Sequence, residues 1–222
     1  MLFKESVVIA LTALLSNKLR SILTMLGIII GIAAVIVMIS IGMGVRKNIT
    51  DSIASLGSNM LIVTPNSSNS RGMRAAAGSG KKLKLDDATA IKKRIKNIDY
   101  VAPTVSSSYQ VVNGNENWNT SVYGVTPEYL QIRSLTVTSG SFISQADLDS
   151  RNRVAVIGST VAGNLYGSEN PVGKNIRVNN QPFKVIGVLE KKGQASMGGD
   201  QDDVVLVPLT TAQERLMGIT YI

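Results

Sequence analysis

The chain of 222 residues contains no cysteine and no histidine. The first absence excludes disulfides, thiolate metal sites and cysteine nucleophiles, and it is compatible with an extracytoplasmic location without requiring one. The second removes the commonest general base and metal ligand, so a hydrolase built on this chain would have to run on carboxylates or on Ser and Lys. Aromatic residues are scarce, at 5% with a single Trp. The chain is basic, with a net charge of +8, but its cations are not interleaved with aromatics, which makes nucleic acid a poor partner. Also missing, over the whole interval between Arg20 and Arg46, is any charged residue.

That uncharged run, Ser21 to Val45, organises the rest. At about 1.5 Å of rise per residue a helix of this length reaches roughly 37 Å, enough to cross a hydrocarbon core of about 30 Å with some tilt. A buried helix of a soluble protein seldom runs so long without a polar face. A cleaved signal peptide has a shorter apolar region, and no A-x-A-like cleavage site follows this one. The run therefore reads as a retained transmembrane helix. Inside it Gly27 and Gly31 form a G-x-x-x-G, with Ala34 about one turn further, a strip against which another helix can pack closely. Upstream, Phe3, Val7, Leu11, Leu14 and Leu15 recur at three- and four-residue spacing. Residues 1–20 are thus expected to form an amphipathic helix lying in the interface and turning into the span near Asn17. Lys4, Lys18 and Arg20 against Arg46 and Lys47 weakly favour a cytoplasmic N-terminus.

Residues 46–222 read as one sizeable domain on the far side of the membrane. The helical pattern continues to Leu56, with Gly57 as its stop, and Asn59 to Thr64 has the composition of a strand. Asn66 to Gly80 is a Ser-, Gly- and Ala-rich loop. Its Gly78-Ser-Gly-Lys81 superficially resembles a phosphate loop, but Ala75 and Lys82 stand where glycine and Ser or Thr are required. Arg71, Arg74, Lys81, Lys82 and Lys84 cluster here, either as a solvated charge run or as a surface for anionic lipid or polymer. Leu85 opens a helix with an Ile91, Ile95 and Ile98 stripe. Strands are expected at 101–106, 109–112 and 118–123, the latter two joined by an Asn113-Gly114 turn, and at 135–138. Arg153 to Leu189 then gives a buried-looking strand, a short helix capped by Ser159 and ended by Gly167, and a hairpin turning at Asn179-Asn180. A last strand covers 204–207 and a helix starts at Leu209. Asp200, Asp202 and Asp203 lack the spacing and glycine of a calcium loop. The mixture is an α+β fold.

Five stretches carry a resemblance. Asn17-Lys-Leu-Arg-Ser-Ile-Leu-Thr-Met-Leu-Gly-Ile-Ile-Ile-Gly-Ile-Ala-Ala-Val-Ile36 resembles the entry of MacB-type ABC transporter permeases, within the FtsX-like superfamily. Val154-Ala-Val-Ile-Gly-Ser159, Asn170-Pro-Val-Gly-Lys174, Phe183-Lys-Val-Ile-Gly-Val188 and Asp202-Asp-Val-Val-Leu-Val-Pro208 are similar, in order and spacing, to that family's periplasmic core domain. The structural positions of these motifs are Gly158, Pro171, Gly173, Gly187 and Pro208. The resemblance implies a bacterial inner-membrane protein with a cytoplasmic-side helix at 1–20, a transmembrane helix at 21–45 and an extracytoplasmic core at 46–222. It implies two lobes in that core, a porter-like one at about 46–108 and 204–222 and an inserted one at about 109–203. The implied partners are a cytoplasmic ABC ATPase that holds ATP-Mg, a second permease copy in a homodimer, a membrane-fusion adaptor and membrane lipid. No cofactor, metal or catalytic residue is expected in this chain. Two departures from the family's pattern set further expectations: the short segment ahead of the helix puts the ATPase in a separate polypeptide, and the end at Ile222 precedes the family's remaining helices. Two other functions stay open beside export, a mechanotransmission subunit regulating a cell-wall hydrolase and a single-pass anchored binding module.

Overall fold

Helix α1 (Leu2–Ser16) and helix α2 (Lys18–Ser55) are separated by a break at Asn17. Ser and Asn are poor in helix interiors because their side chains compete for backbone groups, and the two stand together here. The computed structural model describes residues 2–55, 60–65, 82–194 and 199–222. Gly57 and the basic loop with Gly78-Ser-Gly-Lys81 lie outside them. Within α2, Lys18–Lys47 is long and apolar enough to cross a membrane, with a mean hydropathy of 3.0 over an 18-residue stretch of which none is buried. The hydroxyl of Thr24 donates to the carbonyls of Arg20 and Ser21, each at 3.0 Å, so it brings no unpaired donor into an apolar surrounding.

Residues 1–51 and 52–222 form two compact units. The second holds strands β1 (Val105–Asn113), β2 (Glu116–Val125), β3 (Val137–Gly140), β4 (Val154–Ile157), β5 (Asn175–Val178), β6 (Gln181–Leu189) and β7 (Val204–Pro208). Their order is β3-β6-β4-β7-β2-β1-β5, and β5 also pairs with β6. The pairings therefore return on themselves: β6, β4, β7, β2, β1 and β5 make a closed ring, with β3 added to β6. Closure removes the free edges of the ring strands and leaves β3, paired with β6 alone among the described strands, as an edge. Parallel pairs β2–β7 and β4–β6 are mixed with antiparallel ones. Val111, Val122, Val156, Val178, Val185 and Val205 are fully buried in the resulting core. Strands β4 and β7 are buried along nearly their whole length, which is why they read as uninterrupted apolar runs, whereas β6 alternates Phe183, Val185 and Leu189 inward with Pro182 and Lys184 outward. Helix α6 (Ser159–Tyr166) packs Val161 and Leu165 onto this core, and the short α7 (Leu209–Thr211) adds Leu209 before running into a π-turn at Ala212–Met217. Shorter helices α3 (Leu85–Arg94), α4 (Tyr129–Ile132) and α5 (Gln145–Asp149) complete the unit.

The turns follow local chemistry. Asn179 and Asn180, both at positive φ (47° and 62°), close β5 onto β6 in the primed geometry that matches strand twist. Between β1 and β2 the two turning residues are Gly114, at φ 58°, and Asn115, one position beyond the expected pair. Other boundaries moved for physical reasons. Residues 60–65 form no strand, and Leu61, Ile62 and Val63 are 87%, 69% and 56% exposed, because no described segment pairs with them. The strands expected at 101–106 and 109–112 are one continuous strand, β1, which begins at Val105 rather than Val101; Pro103 has no N–H for a ladder. Helix α3 stops at Arg94, and Ile95 is extended and half-exposed, so the expected stripe through Ile98 is not helical. Three basic residues, Lys92, Lys93 and Arg94, sit at its C-terminal end, where they complement the dipole. The boundary drawn at 203/204 between two lobes falls inside the ring, since β7 lies between β2 and β4.

Candidate functional site

The motif positions outside the membrane converge on tight backbone contacts rather than on reactive side chains. Gly158, not Ser159, is the N-cap of α6. Its N–H donates to Val204 O at 2.9 Å, and a Cβ placed on it would stand 2.1 Å from Asp202 O. Any side chain there would force β4 and the start of β7 apart. Gly187 plays the same part on β6, where a Cβ would lie 2.3 Å from Ser141 O. Asn170-Pro171-Val172-Gly173-Lys174 makes two successive turns. Val172 N–H donates to Asn170 Oδ1 at 3.0 Å, and Lys174 N–H donates to Pro171 O at 3.1 Å with Gly173 at φ 89°. Gly173 and Lys174 then bond Val185 on β6, delivering the chain into β5. Pro171 is buried, and Pro208 closes β7 opposite Val125 and opens α7.

Asp202, 3% exposed, is the polar centre of this junction. Its carboxylate accepts from the backbone N–H groups of Lys192 and Gly193, both at 2.8 Å, and so fixes the loop that leaves β6 against the loop that enters β7. Asp200 accepts from Asp202 N–H at 2.9 Å and from Thr160 Oγ at 2.6 Å, which ties the same loop to α6. Asp203 takes the indole N–H of Trp118 at 2.8 Å, reaching β2. The three carboxylates are thus each engaged by separate donors, and among the described residues no group of three His, Cys, Asp or Glu could hold a metal ion. Lys192 donates through Nζ to Arg133 O at 2.8 Å; burial and the neighbouring Arg133 charge lower its pKa, against the opposing pull of Asp202 and Glu190. Sequence reasoning weighed the three aspartates as a cation site and Asp202-Asp203 as the start of a family motif, and missed their bracing role, which depends on loop, helix and strand partners nine to eighty-five residues away.

A polar hollow of about 450 Å³ lies between the β1–β2 turn and α6, lined by Asn113, Glu116, Leu165, Tyr166 and Glu169 among others. Asn113 Nδ2 donates to Leu165 O at 2.9 Å, burial raises the Tyr166 phenol, and the hydrogen bond and charge of Lys174 lower Glu169. Its residues brace turns and helix ends. On α2, a Cβ at Gly27 or Gly31 would meet nothing within 4 Å, so that strip is open to a neighbour. Ala34 follows on the same exposed helix.

Fold and site together define a class: an α+β domain braced by close backbone packing, in a chain with one apolar helix long enough to span a bilayer. Residues 21–222 match the model of the MacB-like periplasmic core domain, and the chain belongs to that family. It is a membrane-anchored chain with an extracytoplasmic domain of the MacB-like permease type. A protein of Bdellovibrio bacteriovorus named "Macrolide export ATP-binding/permease protein MacB" is 44% identical over 209 residues, which is 94% of this chain and 32% of that protein. One of the same name in Chlorobium luteolum is 39% identical over 213 residues, 96% of this chain and 32% of its own length. The chain spans about a third of the length of these curated relatives. The crystal structure of the periplasmic region of MacB from Actinobacillus actinomycetemcomitans aligns with a TM-score of 0.61 at 29% identity, covering 77% of this chain and 74% of that one. The extracellular domain of the transporter YknZ shares the fold, with a TM-score of 0.55 at 21% identity over 63% of this chain and 69% of its own.

Proposed function

We propose that this chain is the N-terminal portion of the permease of a MacB-type ABC transporter. ATP hydrolysis by a cytoplasmic ABC ATPase, which holds ATP-Mg, drives movement that α2 carries to the outer domain, for efflux or export of a peptide, lipid-linked or drug-like substrate. The protein sits in the bacterial inner membrane with its N-terminus in the cytoplasm, pairs with a second copy through the Gly27, Gly31 and Ala34 strip, and meets a membrane-fusion adaptor outside. The observation that carries this reading is the extent of the family match. It begins at residue 21, where the apolar run begins, and continues through the domain to residue 222, so helix and domain form one unit of that family. A domain braced at Gly158, Gly187 and Asp202 moves as a body, which suits a part that relays motion.

The test is co-purification of the full-length gene product from its native membrane, with mass spectrometry of its companions. ATPase sequence at near-equal amount, in the same or a separate polypeptide, together with a membrane-fusion protein supports export. A cell-wall hydrolase in place of the adaptor turns the reading to mechanotransmission. Recovery with no ATPase sequence at all defeats it and leaves an anchored binding module.

A further inference from the structure

The break between α1 and α2 is used by none of the foregoing. It opens a hollow of roughly 710 Å³ whose lining includes Ser16, Asn17, Lys18, Arg20, Leu23 and Thr24. We propose that this elbow binds the headgroup of an anionic phospholipid, a reading that rests on α2 spanning the membrane. Three observations converge on that occupant.

The first is charge. Lys18 and Arg20 bring two cations to the hollow, and its lining holds no carboxylate. Glu5 is the sole acid before Asp51, and at about 1.5 Å per residue it stands roughly 16 Å along α1 from Ser16. The ion pairs among the described residues are Arg151 with Glu214 and Lys174 with Glu169, so neither elbow cation is neutralised by one. A guanidinium fork beside an ammonium suits a phosphodiester. The second is depth. The uncharged run begins at Ser21, directly after Arg20, which puts the two cations at the headgroup level when the run fills the hydrocarbon. The third is the change from the lining to the surface beyond it. Polar Ser16, Asn17 and Thr24 and the two cations share the hollow with Leu19 and Leu23, and beyond it Leu26 and Ile30 continue an exposed apolar surface. An amphipathic ligand fits that change, with its phosphate at the elbow and its chains along α2. Free phosphate would leave the apolar part of the hollow uncovered.

The experiment uses the full-length protein reconstituted with equal parts phosphatidylglycerol and phosphatidylcholine, released gently, and examined by native mass spectrometry for retained lipid. Wild type is expected to retain phosphatidylglycerol in preference by on the order of tenfold, as two juxtamembrane cations supply. The double substitution Lys18→Gln with Arg20→Gln should bring the preference close to unity, while Arg46→Gln with Lys47→Gln at the other end of the span should leave it. An unchanged preference in the first double variant overturns the proposal, and an equal loss in the second reduces it to general surface charge, which also overturns it. Displacement of the retained lipid by millimolar inorganic phosphate would assign the hollow to a free anion instead. Alkaline carbonate extraction separates the two readings: a protein that washes out has lost the spanning premise, whereas one that stays in the membrane without lipid preference has lost only the elbow site.

Discussion

At the scale of single residues, two glycines five positions apart in the chain behave oppositely in space. Gly158 and Gly163 both belong to the α6 region, yet a Cβ at 158 collides with Asp202 O whereas one at 163 meets nothing within 4 Å. Gly158→Ala should therefore destabilise by about 1–3 kcal/mol, the usual cost of overpacking. Gly163→Ala removes backbone freedom from a helix interior and should stabilise by roughly 0.5–1 kcal/mol. Urea denaturation of the purified protein, followed through the fluorescence of Trp118, reads both, since that indole is bonded to Asp203 at the same junction. Equal effects at the two positions would show that propensity, not contact, governs here. The importance of Gly158 was legible as a turn between a strand and a helix. The reason for it was not, because Asp202 lies far along the chain and nothing local announces that its carbonyl approaches.

Elements were more legible where their chemistry is local. The apolar helix, β4, β7 and the β5–β6 hairpin stand where composition and turn residues put them, because burial on two faces and paired asparagines leave direct marks. The segment 60–65 and the end of α3 did not follow their patterns, since a strand needs a partner and an apolar stripe needs something to bury it. Helix α5 shows how a cap sets pH dependence. Burial pushes the Asp147 carboxyl up, but hydrogen bonds from Asn152 Nδ2 and from the Ser144 hydroxyl and backbone N–H outweigh it and leave the group lowered in the fold. A carboxyl lowered on folding contributes stability that is complete above its unfolded value of about 3.9 and is lost as pH falls through the folded value. The urea midpoint of Asp147→Asn should accordingly be lower than wild type at neutral pH and fall less steeply below about pH 4. Parallel slopes would exclude Asp147 as a source of the acid limb. For α2, Gly31→Ile fills the open strip; self-association in vesicles, read by energy transfer between labelled copies, should drop several-fold while the urea transition of the domain stays in place. Unchanged transfer would remove the strip from the proposed contact between copies.

The whole domain turns on one topological fact, the position of β7. Joining β2 on one side and β4 on the other, it carries residues from the far end of the sequence into the middle of a ring whose remaining strands all precede it. Two lobes divided at 203/204 would unfold in two steps, one for each lobe, because contacts across the division would be few. A ring closed through β7 has no such seam. Leu206, 1% exposed at the centre of that strand, is the place to decide. Truncating it to Ala leaves a cavity worth about 2–5 kcal/mol. In a single cooperative unit that loss must appear in full at every strand, so Leu206→Ala should lower hydrogen-exchange protection equally in β6, with which β7 does not pair, and in β2, with which it does. Its urea transition should remain single, with the Trp118 signal and far-ultraviolet circular dichroism coinciding. A loss confined to β2 and β4, or two separated transitions, would restore the division and make the domain jointed instead of rigid.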